Sequence, residues 1–226
     1  MAANASNGFR AERMLCVQGN VKEALQTHFG KSICSIEDIK GRKKSDNTIR
    51  FEDSTSVRIQ NKNGQIGGRG FSVNRGEAHT YTSDTDVHTL LKNVCLKEGS
   101  VRPEVSNSVG RLLLDQCFLG SNEEYKPQYF LHTQSDKQTG IITHISICDT
   151  SSFMDEMYTC MYTNLVPKRT CVHVNPYVYL QRKAGGTADH SPNQIQAKFR
   201  LHGKILEKFI DLPLTQTTPQ LSVQMS

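Results

Sequence analysis

Lys43-Lys44-Ser45-Asp46-Asn47-Thr48-Ile49-Arg50-Phe51-Glu52, then Asp53-Ser54-Thr55, then Ser56-Val57-Arg58-Ile59-Gln60-Asn61-Lys62 is the stretch that decides the fold. Two short alternating runs flank an Asp/Ser/Thr segment, whose short polar side chains bond the local backbone; this is the pattern of a β-hairpin. Folded about Ser54, the count brings Asp46 and Lys62 side by side. Gln60 and Lys62 are two apart on a strand and share one face. The open end therefore collects a carboxylate, an amide oxygen and an ammonium. The two oxygen types are ligands of a hard cation such as Mg²⁺. An ammonium beside them holds a phosphate oxygen or a nucleophilic water.

The charge around the hairpin points to a polyanionic partner. The chain has 226 residues and a net charge of +5, and between Lys40 and Arg75 nine basic residues face three acids, Asp46, Glu52 and Asp53. A local excess of this kind beside a cation site favours nucleic acid. After Lys62, glycines at 64, 67, 68, 70 and 76 make a flexible loop in which Arg69 and Arg75 are placed to meet phosphates or base edges. The loop is not a phosphate-binding P-loop, because no Gly-Lys-Ser/Thr follows.

A second polar concentration lies near the C-terminus. A strand ends in Gln181-Arg182-Lys183, and a Gly-Gly turn and a polar loop through Asn193 follow. The next strand alternates Gln194, Gln196, Lys198 and Arg200 against Ile195, Ala197, Phe199 and Leu201. Gln, Lys and Arg without a carboxylate on their face suit bidentate contacts to purine edges in a major groove.

Elsewhere helical spacing covers Phe9–Cys16, with Glu12 as a further acid, and Val21–Phe29, with Glu23. Ser32–Ile39 is a connector or strand. Asp86–Leu96 and Val105–Phe118 are expected helices. Tyr129–His132 and Ile141–Cys148 read as strands joined by a turn at Asp136–Gly140. Phe153–Tyr162 is a Met-rich helix, Cys171–Leu180 a strand interrupted by Pro176, and Ile205–Ile210 a short helix or strand. His144 and His173 stand isolated, as core or strand histidines. The seven cysteines include no C-x-x-C pair, which favours reduced, buried thiols over a zinc site. No apolar run approaches the roughly 20 residues that span a bilayer, and Met1–Gly8 lacks a secretory apolar segment. The expectation is a soluble, intracellular, cytoplasmic protein with one domain over residues 8–212 and flexible tails at 1–7 and 213–226.

Ser45-Asp46 followed, fourteen positions after the Asp, by Gln60-Asn61-Lys62 resembles the PD-(D/E)XK nuclease signature. Ser45 replaces the family's Pro and Gln60 its Glu. Ser-Asp with Gln-x-Lys looks like a subgroup of type II restriction endonucleases. The order of parts agrees: a helix carrying Glu12, the hairpin, a Gly/Arg loop and the later Gln-Arg-x-x-Gly-Gly segment. The resemblance implies a restriction-endonuclease-like α/β fold, a mixed central β-sheet flanked by helices. It also implies Mg²⁺-dependent hydrolysis of double-stranded DNA by a monomer or homodimer. By this likeness Asp46 and Gln60 ligate the metal with a backbone carbonyl near Asn61, Glu12 adds a carboxylate, and Lys62 activates the water. Lys43, Lys44, Arg69, Arg75, Gln181, Arg182, Lys183, Asn193, Gln194, Gln196 and Lys198 are the expected DNA contacts. Three alternatives stand beside it: a structure-selective repair nuclease on the same fold, a non-catalytic DNA-binding module, and a metabolic enzyme with a coincidental motif.

Overall fold

In the computed structural model, which describes residues 13–39, 44–64, 71–76, 107–136, 138–168, 171–182 and 195–215, the hairpin is the heart of one sheet. Strand β1 (Ile33–Asp38) pairs antiparallel with β2 (Asn47–Phe51), and β2 with β3 (Ser56–Asn63). The register differs by two residues from the expected one: Asn47 faces Ile59 and Arg50 faces Ser56. The turn explains the slip. Ser54 N–H donates to Phe51 O (3.1 Å) and Phe51 N–H to Thr55 O (2.9 Å), while Asp53 Oδ1 accepts from Thr55 N–H at 3.0 Å. Ser54 takes up the left-handed backbone at φ 67°, so the turn centres on Asp53. An even slip leaves every side chain on its predicted face.

Beyond β3 the sheet becomes mixed. Strand β4 (Phe71–Gly76) leaves for a second sheet, and β5 (Tyr129–Ser135) pairs with β3 in parallel. Strand β6 (Ile142–Asp149) pairs antiparallel with β5. The second sheet also takes β7 (Val166–Lys168), β8 (Cys171–His173), β9 (Val178–Arg182) and β10 (Ile195–Phe199), while β11 (Ile210–Leu212) closes the edge of the first. The six-stranded sheet runs β1-β2-β3-β5-β6-β11 and the five-stranded one β4-β10-β9-β8-β7.

Each face of the mixed sheet has its own core. The helical residues 13–17 and α1 (Gly19–Phe29) bury Leu15, Val21, Ala24 and Leu25 against Ile49, Ile59, Leu131, Ile145 and Ile147. Gln18 separates these helical pieces: its amide both donates to Ile142 O and accepts from Ile142 N–H, each at 2.8 Å. On the other face lie α2 (Asn107–Phe118), α3 (Thr150–Thr159), the short α4 (Lys204–Glu207) and the second sheet. Phe118, Phe130, Phe153 and Phe199 pack together there, with the Phe130 and Phe153 rings stacked at 4.1 Å. Aromatic stacking adds to the area these rings bury. The result is an α/β protein with a mixed central sheet flanked by helices, as expected.

Several elements depart from the expected bounds for local reasons. The helix of 150–159 starts before Phe153 because Asp149 accepts from Ser152 N–H at 2.9 Å, an N-cap. Cys171–Leu180 is a hairpin, β8 and β9, rather than one strand. Pro176 lacks the N–H a central strand needs. Asn175 organises the turn: its Oδ1 accepts from Tyr177 and Val178 N–H (2.9 and 2.7 Å) and its Nδ2 donates to Met157 O (3.0 Å). The 205–210 segment is both alternatives, α4 followed by β11. The expected helix Asp86–Leu96 lies outside the described residues. Among those described, no helix is long and apolar enough to cross a membrane.

Asn175 is fully buried, so Asn175→Ala leaves two N–H groups and one carbonyl without partners. We expect a loss of at least about 2 kcal/mol, measured by equilibrium urea denaturation.

Candidate functional site at the open end of the hairpin

Strand β2 ends one residue short of what β3 needs. Asp46 N–H still donates to Ile59 O (2.8 Å), but the next donor on β3, Asn61 N–H, is met by the Asp46 side chain, at 2.8 Å from Oδ2. Lys62 Nζ reaches the same oxygen at 3.4 Å, with both side chains about four-fifths buried. That separation exceeds the roughly 2.7–2.9 Å of a tight charge-assisted bond, so the ammonium keeps donor capacity for another group. The ladder itself ends at Asn47 opposite Ile59, and Gln60 and Lys62 follow Ile59 on the other face of β3.

The chain leading into Asp46 is fixed from several sides. Ser45 is buried and its hydroxyl donates to Tyr125 O at 2.8 Å, in a 3₁₀ turn (Glu123–Tyr125) that Asn122 caps. Gln60 Nε2 donates to Lys44 O at 3.0 Å. A carbonyl only accepts, so this bond dictates the amide's orientation. Gln60 Oε1 is consequently buried without a donor. Asn61 C=O points the same way as its own N–H, as in any extended strand, toward the side where β2 has ended.

A carboxylate, an unmatched amide oxygen and a main-chain carbonyl are hard oxygen donors, and a cation would satisfy the buried Oε1 that no donor reaches. The residues present therefore fit a divalent metal. The site carries few carboxylates: among the described residues no three His, Cys, Asp or Glu side chains converge. Glu12 lies outside the described residues. Glu23 lies on α1, across the sheet from Gln60 and Lys62, where its carboxylate accepts from Thr215 at 3.1 Å.

Lys44 takes a different place from the expected phosphate contact. Its ammonium turns inward and donates to Cys117 O (2.7 Å) at the end of α2 and to Val73 O (3.3 Å) in β4. Burial lowers its pKa, and burial likewise pushes the Cys117 thiol up to about 12. The Lys44 stem crosses Gly120, which has φ +73°; a Cβ there would come within 2.6 Å of Lys44 Cγ.

The polar row of the second sheet is also less open than its alternation implies. Gln196 is 5% exposed, because its Nε2 donates to Ser72 Oγ (2.8 Å) and its Oε1 accepts from Gln181 Nε2 (3.2 Å). Three strands thus share one amide chain. Register places Arg75 and Gln181 on either side of Gln196, and Ser72 and Tyr179 on either side of Lys198, which is half-buried. Arg182 faces Ile195 across the ladder. Lys43, Arg69, Lys183, Asn193 and Gln194 lie outside the described residues.

His132, whose place in the run Tyr129–His132 implies only a strand residue, belongs to this neighbourhood. It sits opposite Lys62 in the parallel pair and is 1% exposed. Its Nε2 bonds Gly64 O at 2.7 Å, and burial lowers its pKa. The signal was the alternation Phe130/His132, but its meaning depends on β5 pairing with β3, seventy residues away in sequence.

No protein-family model matches the chain, and no curated protein matches it. Among solved structures it is similar to restriction endonuclease MspI in complex with its cognate DNA. The TM-score is 0.43 and the identity 11%, over 80% of this chain and 76% of that one.

Removing the inward ammonium leaves two main-chain carbonyls without their donor. Lys44→Ala is expected to cost about 1–3 kcal/mol in chemical denaturation at neutral pH, where a surface lysine would cost almost nothing.

Proposed function

We propose that the protein is a Mg²⁺-dependent deoxyribonuclease of the type II restriction kind, hydrolysing phosphodiester bonds at a short site in duplex DNA. The observation that carries this reading is the meeting of Asp46 and Lys62 at one carboxylate oxygen, beside the unmatched Oε1 of Gln60. With Gln60 where the nuclease signature has an acid, the trio is the donor set of its Ser-Asp and Gln-x-Lys variant.

Asp46, Gln60 Oε1 and the Asn61 carbonyl would hold the cation, with Glu12 as a further carboxylate. Bound there, a divalent cation supplies positive charge at a scissile phosphate. Lys62 orients the attacking water with its uncommitted donors and stabilises charge as it develops on the phosphoryl oxygens. The basic residues Lys43, Arg69, Arg75, Arg182 and Lys183 hold the duplex by its phosphates, and Asn193, Gln194 and Lys198 offer donors to base edges.

The charge balance makes metal and DNA interdependent. Among the described residues one carboxylate, Asp46, stands against two ammonium groups close enough to influence each other, Lys62 and Lys44. Such a site binds a dication poorly until a phosphate adds negative charge. Mg²⁺ affinity is therefore expected to rise when DNA is present, as read by isothermal titration calorimetry with a non-cleavable duplex; equal affinities count against the reading.

Incubation with plasmid DNA and Mg²⁺ is expected to give discrete fragments. Lys62→Ala should slow cleavage by about 10²–10³-fold, the usual cost of one transition-state donor. Binding without cutting would instead indicate a DNA-binding module, and structure-dependent nicking a repair nuclease. Gln60→Glu restores one negative charge and is expected to tighten Mg²⁺ binding in the DNA-free protein.

A further inference from the structure

Beside the candidate site lies a small, mostly apolar pocket of about 10 Å³, near the lower bound for one water. Aromatic rings form most of its wall, and its polar lining is Gln60, Lys62 and His132. Two buried acceptor atoms among these three residues lack a donor: Gln60 Oε1 and His132 Nδ1. The tautomer of His132 follows from its other bond. Gly64 O can only accept, so Nε2 carries the proton and a neutral ring leaves Nδ1 bare. Lys62 stands directly opposite His132 on the same face of adjacent strands, and its one described bond, to Asp46, is long. A bare acceptor and an under-used donor therefore line one pocket.

We propose that His132 is a positioning residue for Lys62. Through Nε2–H it anchors the end of β3 at Gly64, two residues past the lysine. Through Nδ1 it accepts a hydrogen bond from one of the three ammonium N–H groups, directly or by way of a single water. With Asp46 accepting from a second, the ammonium is held on two sides and its third N–H is aimed at the substrate. The role assigned to Lys62 rests on the nuclease reading; the Lys62–His132 coupling does not.

Two substitutions separate the arms of the imidazole. Asn places an acceptor where Nδ1 stands but cannot reach Gly64; Gln reaches Gly64 but offers nothing at the Nδ1 position. With plasmid DNA and Mg²⁺, His132→Gln is expected to lower kcat by about 10–100-fold with KM unchanged, the scale of a misaligned catalytic group. His132→Asn is expected to retain most of kcat despite a lower melting temperature. The reverse order, or equal activities, overturns the proposal and leaves His132 as an anchor for Gly64 alone.

A second measurement does not depend on cleavage. In ¹⁵N-detected imidazole spectra of the metal-free protein, His132 should appear as the neutral Nε2–H tautomer, and Lys62→Met should shift its bare-nitrogen resonance. Ser146, the next residue across the sheet, also has a buried hydroxyl without a partner; Ser146→Ala should leave that resonance in place. A resonance that follows Ser146 and ignores Lys62 overturns the proposal. Wild-type protein that fails to cut DNA yet shows the Lys62-dependent shift refutes the nuclease reading and upholds the coupling.

Discussion

A strand that stops too soon creates the site. Where β2 ends, Asn61 loses the main-chain carbonyl that an ordinary ladder would give it, and the Asp46 carboxylate takes its place at 2.8 Å. A buried N–H left without an acceptor costs on the order of 1–3 kcal/mol, so this side chain cannot swing away freely. The bond that completes the sheet is thus the bond that holds an acid at its edge. Lys62 joins the same oxygen at 3.4 Å, and Gln60, one same-face step before it on β3, is tied to the segment leading into Asp46 by its bond to Lys44 O.

The neighbouring segments exist in this arrangement to keep that edge still. Ser45 is tied to Tyr125, and Lys44 O is held by the Gln60 amide. The second of these ties has an electrostatic cost, since it turns the amide oxygen into a buried pocket with no donor. Buried polar atoms are nearly always matched in a stable fold, and unmatched ones mark places where function outweighs stability. Gln60 Oε1, His132 Nδ1 and Ser146 Oγ lie on the same face of three adjacent strands.

The sequence carried the hairpin, its faces and its acid–amide–amine set, because side-chain parity and turn chemistry are local properties. The two-residue slip was not legible: Ser54 and Asp53 are both plausible centres, and only the bond from Thr55 N–H to Asp53 favours the second. Even so, the slip is even, and Asp46, Gln60 and Lys62 kept a common face. The interruption at Pro176 is a full turn, because Asn175 Oδ1 accepts from Tyr177 and Val178 N–H while its Nδ2 is locked to Met157 O on α3, a tie that no local pattern reveals. Gln196 was read as open on the strength of alternation, yet strands on both sides close over it. Lys44 looked like one more member of a basic run until α2 and β4 came within reach of its ammonium. For Gln196 and Lys44 the deciding partners, Ser72 and Cys117, lie far along the chain.

The stem of Lys44 passing over Gly120 has a mechanical meaning. One side chain joins the leader of the acid-bearing strand, the end of α2 and the border strand of the second sheet. These pieces cannot open independently, for peeling away any one strips the ammonium of an acceptor and exposes the apolar wall behind it. Opening the border of the second sheet is therefore coupled to loosening the segment that carries Asp46, so the acid-bearing edge and the polar strands are tied in one local unit of stability.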